Sequence, residues 1–333
     1  MAGDPGREGR LMTFTAKAIG GFHIGGRMVE LSGLPTYRAR IAKAAPEFEI
    51  DPNGRFAIEQ MYVQYTLLAE PSFPYPVLMW HGGGQTGATW EDTPDGRPGW
   101  QQRFLEAGFD VYCSDAVERG RASFARYPEL FEGDPIFRSQ QDAWGLFRFG
   151  PLDGFHTEHD KRTYFANGQW PAEVTDQYQK QVVARWAGHD AITQAAYDEL
   201  VEKVGPCVII SHSQSGAFST QAAVNNPDMV KAVVTLEPSG GADATETQMA
   251  ALAAAGTRHL VIWGDNFDGH ERWAIIRSAV EAYGQRVDKA GGHWLEWDLP
   301  AMGIPGNSHF PMMDRNSDLI ARMVQQWIAD TVH

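Results

Sequence analysis

The chain is short of three things. It has two cysteines in 333 residues. It has no apolar run approaching the ~20 residues that a membrane helix needs, and runs such as those at 208–210 and 260–263 are strand-sized. Basic side chains are also scarce: 28 Lys and Arg face 42 Asp and Glu, for a formal net charge of −14. That balance argues against a nucleic-acid or anionic-membrane partner, because phosphate binding takes clustered Lys and Arg. It suits a neutral substrate, although surface solubility is the simpler account. Cys113 and Cys207 fall in apolar segments that read as buried strands flanking a third, two spacings or about 9.6 Å apart. A disulfide needs Cα atoms within about 7 Å, so both are expected as free thiols, which leans towards a reducing compartment. Residues 1–10 are Gly-rich and charged without an apolar core, so no secretory signal is expected there. Compartment stays open between cytoplasm and periplasm, and oligomeric state is open too, a homodimer included.

What is present is an ordinary globular composition, 43% hydrophobic and 21% charged, with length enough for one large α/β domain or two smaller ones. Segments 22–31 and 56–67 alternate apolar and polar residues and read as antiparallel strands, joined near Asp51-Pro-Asn-Gly54. Short continuous apolar runs follow at 77–80, 111–113, 208–210, 232–236 and 260–263. Such runs suit strands buried on both faces of a parallel sheet. Helix-compatible stretches at 100–107, 217–226, 245–255 and 271–283 separate most of them, which indicates an α/β parallel sheet with right-handed crossovers. The interval 120–189 is too long for one crossover and rich in aromatic residues, Trp144, Phe147, Phe149 and Trp170 among them. It reads as a cap inserted over the sheet's carboxyl edge, either packed simply onto its base or lending rings to a substrate pocket.

The most informative segment is Ser211-His-Ser-Gln-Ser-Gly216, where a β-branched run stops and a helix begins. A strand that turns at once into a helix passes a tight corner, whose apex residue is strained and thrust into the open. The apex is Ser213; Ser211 and Ser215 are small, as their crowded positions require, and Gly216 relieves the next contact. A serine nucleophile needs a base, a group orienting that base, and oxyanion donors. His309 is the favoured base, in a Gly/Pro-shaped loop before a last amphipathic helix capped by Asn316 or Ser317. His293 is its rival. Glu237, just past the 232–236 strand, is the favoured acid, with Asp265 and Asp268 as competitors. Oxyanion donors are expected from the backbone of Gln214 and from Gly83 or Gly84 in His81-Gly-Gly-Gly84, where missing side chains let the backbone approach a ligand. That loop has neither nucleotide-binding spacing. His156 and His159 lack a third ligand at a recognised spacing, so no metal and no organic cofactor is expected.

Over roughly residues 55–333 these features resemble the α/β-hydrolase superfamily. They are the His81-Gly-Gly-Gly84 loop, the 211–216 elbow, His309 in its loop, and Asp115 followed by Gly120-Arg-Ala-Ser123. The combination with Thr235-Leu-Glu-Pro238 and Asn307-Ser-His309 is similar to a bacterial esterase subgroup whose acid is a Glu after the sixth strand. The resemblance implies a single domain over 1–333 with a central, mostly parallel eight-stranded sheet, and a lid (120–189) inserted before the elbow strand. It also implies Ser213, His309 and Glu237 as catalytic residues. Ser stands where the family has Gly on both sides of the nucleophile. Phe267 stands where the acid is commonly found, which strengthens Glu237. The expected activity is ester hydrolysis through an acyl-enzyme, on a small-molecule ester that the aromatic cap suggests is bulky, apolar or aromatic. Lactonases, lyases, haloperoxidases and peptidases share the triad, so the fold alone does not set the reaction. Dehalogenase chemistry needs a carboxylate where Ser213 stands. A non-catalytic ligand-binding protein on the same scaffold is the alternative from another class.

Overall fold

The computed structural model describes residues 13–332 apart from 123 and 125. The reading of residues 1–10, and Ser123 in the stretch after Asp115, lie outside the described residues. Eight strands form one sheet: β1 (Ala16–Leu31), β2 (Gly54–Leu68), β3 (Val77–Trp80), β4 (Val111–Asp115), β5 (Cys207–His212), β6 (Val230–Leu236), β7 (Arg258–Trp263) and β8 (His293–Asp298). Their order across the sheet is β1-β2-β4-β3-β5-β6-β7-β8. The β1–β2 and β2–β4 pairs are antiparallel, and every pair from β4 to β8 is parallel. This is the eight-stranded, mostly parallel sheet that the resemblance implies.

The apolar runs explain the layering. Successive strand side chains point to opposite faces, so a run apolar at every position is buried on both. Val77, Met79, Val208, Ile210 and Val234 enter one core layer, while Leu78, Trp80, Ile209 and Val233 enter the other. The second layer is covered by α3 (Asp190–Val204), α4 (Ser215–Asn225), α5 (Glu246–Ala255) and α6 (Glu271–Lys289), with Tyr197 of α3 stacked on Trp80 at 3.9 Å. The first is covered by α1 (Trp100–Glu106) and α7 (Ser317–Thr331), through Phe104, Ile320, Val324 and Ile328. Cys113 and Cys207 are buried free thiols on β4 and β5, with β3 between them. Among the described residues no helix is long and apolar enough to cross a membrane.

Two expectations are corrected. The Asp51-Pro-Asn-Gly54 turn does not join β1 directly to β2. Leu31 pairs with Gly54, and the chain between them forms its own ribbon, Tyr37–Ala39 with Phe48–Ile50. Asn53 closes the foot of that excursion, donating to Leu34 O at 2.9 Å and accepting from Leu34 N at 2.8 Å. The helix read at 271–283 runs on to Lys289. The 120–189 interval contains α2 (Gln140–Phe147). Its rings Trp144, Phe149, Trp170 and Tyr178 are buried in the main core layer with Phe310, and Phe149 stacks on Trp170 at 4.2 Å. Phe124 and Phe137 of the same interval are exposed.

Candidate active site

The corner after β5 is built as a strained presentation device. Ser213 has φ +52°, in the left-handed region that a side chain enters at a cost of roughly 1–3 kcal/mol. The surroundings hold it there: Ser213 N donates to Leu236 O at 2.9 Å, and Ser213 O accepts from Gly216 N and Ser239 N, each at 3.0 Å. The neighbouring serines are fully buried and spoken for. Ser211 Oγ lies 2.7 Å from Ser219 Oγ, and Ser215 Oγ donates to His81 O. Ser213 lines a cavity of about 260 Å³ to which Ser211 and Ser215 do not contribute. A Cβ on Gly216 would stand 2.4 Å from Pro238 Cβ, so helix α4 starts tight against the chain leaving β6 only because residue 216 has no side chain.

His309 lines the same cavity. Its Nδ1 is 3.2 Å from Glu237 Oε2, and both side chains are buried. An ionised carboxylate only accepts, so Nδ1 carries the proton and Nε2 keeps a lone pair. The imidazole stacks on Phe147, with 5.2 Å between centroids. Burial, and then the positive charges of Arg148, Arg138 and Arg272, hold it well below the usual histidine value, so the imidazole is neutral. The loop that carries it is clamped on several sides. Asp314 accepts from Ser308 N, Ser308 Oγ and Asn307 Nδ2 at 2.8, 2.8 and 2.9 Å. Asn316 exchanges side-chain hydrogen bonds with Asn307. Asn316 precedes α7 as expected, but its side chain makes no cap bond and holds the histidine loop instead; Ser317 is the first helical residue. His212, inside the elbow, donates from Nε2 to His309 O at 2.8 Å, tying the strand before Ser213 to the backbone of His309.

Glu237 is the carboxylate that the fold brings to His309. It sits one residue past β6 with φ +52°, and its Oε1 accepts from Gly264 N. A Cβ at Gly264 would lie 2.8 Å from that oxygen. Asp265 turns its carboxylate elsewhere: Oδ2 accepts from Gly306 N at 2.7 Å and Oδ1 from Asn266 N. Asp268 is exposed and lines a neighbouring cavity with Asp298 and Arg277. His293 opens β8 opposite Arg258, the first residue of β7. In a parallel sheet this is the amino edge, whereas Ser213 follows a carboxyl end. The structure therefore brings together Ser213, His309 and Glu237, and leaves out His293, Asp265 and Asp268.

The glycine loop after β3 abuts the elbow. A Cβ on Gly82 would fall 2.6 Å from His212 Nδ1 and 3.1 Å from Ser213 Cβ, and one on Gly83 would fall 2.8 Å from Gln214 Oε1. Only bare backbone fits there. Gly83 and Gln214 line the cavity with Ser213, while Gly84 is set back, accepting from Val183 N at 2.8 Å. His81 braces the loop: Nδ1 donates to Gly82 O at 2.8 Å and Nε2 accepts from Ala116 N at 3.0 Å. Asp115 accepts from Gly87 N at 2.6 Å and from Arg121 N and Nε.

Sequence reasoning missed the arginines. Arg148 ends α2 in the left-handed conformation and is fully buried, with Nη2 2.8 Å from Glu237 Oε2. This is an ion pair whose N–H is not aligned for a hydrogen bond, while Nε donates to Asp265 O at 2.8 Å. Its guanidinium lies over Phe267 at 3.9 Å and Trp273 at 4.8 Å. Nothing in the Phe-Arg-Phe run of 147–149 signals this, because every partner is remote in sequence. Among the described residues no group of three His, Cys, Asp or Glu side chains is placed to hold a metal ion.

No family model matches the chain. The solved structure of a novel bacterial esterase is 31% identical, with a TM-score of 0.82 over 96% of this chain and 98% of that one. The probable secreted lipase phiG of a fungal species is 26% identical over 325 residues, 83% of this chain and 87% of the relative. With this sheet order and these relatives, the chain belongs to the α/β-hydrolase family.

Proposed function

We propose that the chain is a serine hydrolase of carboxylic esters, with Ser213 as nucleophile, His309 as base and Glu237 as the group orienting it. The observation that carries this reading is the shared cavity of Ser213 and His309, with Glu237 behind the imidazole on Nδ1. Ser213 Oγ adds to the ester carbonyl as His309 Nε2 takes its proton. The tetrahedral oxyanion is held by the backbone N–H groups of Gln214 and Gly83, each donor contributing roughly 3 kcal/mol to the transition state. As the C–O bond breaks, His309 gives its proton to the leaving alcohol. A water, deprotonated by the same nitrogen, then attacks the acyl-enzyme and releases the acid with Ser213 restored. No step calls on a metal or an organic cofactor.

The cavity supports a small substrate. At about 260 Å³ it falls below the roughly 300–1,000 Å³ of sites for drug-sized ligands. A compact group against Leu146, Phe147, Trp273 and Ile276 therefore fits better than the bulky aromatic one that the composition suggests. The 120–189 interval serves as a cap whose Phe147 backs the histidine. Labelling with a fluorophosphonate tests the assignment: the wild-type chain and Ser215→Ala take the label, and Ser213→Ala does not. An unlabelled wild-type chain would favour a non-catalytic binding protein.

A further inference from the structure

The cavity around Ser213 is cationic in a protein that is otherwise acidic. Three of its lining residues are arginines: Arg138, Arg185 and Arg272. The one carboxylate in the lining, Asp190, is reached by Gln214 Nε2 at 3.4 Å. Arg138, which precedes α2, pairs with Asp142 in the first turn of that helix. Among the described residues, Arg185 and Arg272 have no carboxylate within ion-pair distance, although the chain carries 14 more acidic than basic side chains.

Neither position is explained by folding. Arg272 stands second in α6, where the positive end of the helix dipole disfavours a cation. Arg185 is half-buried next to the other two, and burial first, then the charges of Arg138 and Arg272, lower its pKa against the opposing pull of Asp190. Its backbone is fixed, with Arg185 N donating to Ile136 O at 3.1 Å and Ile136 N donating to Arg185 O at 2.7 Å. Its Nε stands 3.6 Å from where a Cβ of Gly83 would lie, directly over the glycine loop. Planar guanidinium forks that repel one another around a reaction site are arranged for an oxyanion, with which they make charge-assisted, often paired hydrogen bonds.

We infer that the preferred substrate is a short ester bearing a second, anionic group, a free carboxylate, which Arg185 and Arg272 receive while Ser213 attacks the ester carbonyl. This rests on the ester-hydrolase reading above and names its substrate class. The apolar part of the lining takes the methylenes between the two ends. The overall negative charge of the chain does not oppose such a substrate, because the field at the site is set by the nearest guanidinium groups.

The test compares each anionic ester with its neutral counterpart at low salt: monoethyl adipate against ethyl hexanoate for a carboxylate on the acyl side, butyryl glycolate against ethyl butyrate for one on the alcohol side. In at least one pair the anionic ester is expected to have the higher kcat/KM by about tenfold or more, the worth of one charge-assisted hydrogen bond. The preference should shrink in 0.5 M salt, by roughly the loss expected as the Debye length falls from about 10 Å towards a few Å. Arg272→Gln, on an exposed helical position, and Arg185→Gln should each lower the anionic-to-neutral ratio. Hydrolysis of the neutral esters with no preference in either pair, and a ratio that neither substitution moves, overturns the inference and leaves the ester hydrolase standing. If no ester turns over and Ser213 takes no phosphonate, the reading beneath fails as well.

Discussion

Two regions meet at the cavity and contribute differently. The frame comprises the elbow after β5, the glycine loop after β3 and the loop before α7. In the proposed reaction it supplies the reacting groups by backbone geometry: a positive φ at Ser213, bare backbone at Gly82 and Gly83, and His309 tied to His212. The 120–189 interval adds no reacting atom. It supplies charge and walls, through Arg138, Arg148, Arg185 and Phe147. On the proposed reading the frame decides what reaction is possible, while residues 120–189 tune the base and select what enters. Substitutions in the two regions should therefore fail in different ways.

The largest effect belongs to the frame. Ser213→Ala should lower kcat by roughly 10⁵–10⁶ with substrate binding retained, in the range seen when a serine nucleophile is lost. A loss of less than a hundredfold would remove Ser213 from the chemistry. Glu237→Gln should cost roughly 10⁴ in kcat, because Gly264 N–H keeps the amide oxygen and the amide N–H then faces Nδ1, imposing the wrong tautomer on the imidazole. Asp265→Asn, which disturbs loop hydrogen bonds to Gly306, Asn266 and Asn167, should cost less than about tenfold; equal losses in the two variants would break the assignment of the acid.

Arg148 probes the other region. Replacing it with Met leaves Glu237 buried without its cation, for an expected loss of about 3–5 kcal/mol in unfolding free energy. Its charge also depresses His309. The acid limb of kcat/KM should therefore lie below pH 6.5 in the wild-type chain and move to higher pH in Arg148→Met. A limb that stays put while stability falls would make Arg148 a packing residue only.

The smallest effect is acid lability, which again belongs mainly to the frame. Burial lowers His81 and His259 from 6.5 to about 4, and holds His212 and His309 well below 6.5. Each ring is neutral in the fold and binds a proton more readily when unfolded. The stability it contributes is fully present above about pH 6.5 and is lost as the pH falls towards 4, about 3 kcal/mol for a ring at 4. Asp314, pushed up to about 7 by burial, works in the opposite sense. Its folded pKa is raised, so it favours the fold as the pH drops through 7. One carboxyl offsets only part of four histidines, so the unfolding temperature should fall between pH 7 and pH 4.5. A flat profile there would mean that the rings titrate normally.

Most of the sheet was legible because its signals are local. The continuous runs at 77–80, 208–210 and 260–263 are β3, part of β5 and part of β7, and a strand ending in small residues before a helix can hardly avoid a corner. Glu237 was legible for a related reason, since a carboxylate one residue past a parallel strand must sit at the carboxyl edge. The turn at 51–54 misled because Asn53 holds Leu34 across a separate ribbon, a contact no dipeptide reveals. Asn316 reads as a helix cap, yet its side chain serves the histidine loop. The arginines were invisible for the deepest reason. Arg148 acts on Glu237 and Arg185 lies beside Gly83, pairings made by tertiary structure between segments with no shared pattern.

The most direct measurement is a crystal structure of the chain after reaction with a fluorophosphonate. Phosphorus is expected bonded to Ser213 Oγ, with a phosphoryl oxygen within about 3.2 Å of both Gln214 N and Gly83 N, and His309 Nε2 facing Ser213 Oγ. An adduct on any other residue, or a phosphoryl oxygen turned away from those two amides, would contradict that expectation.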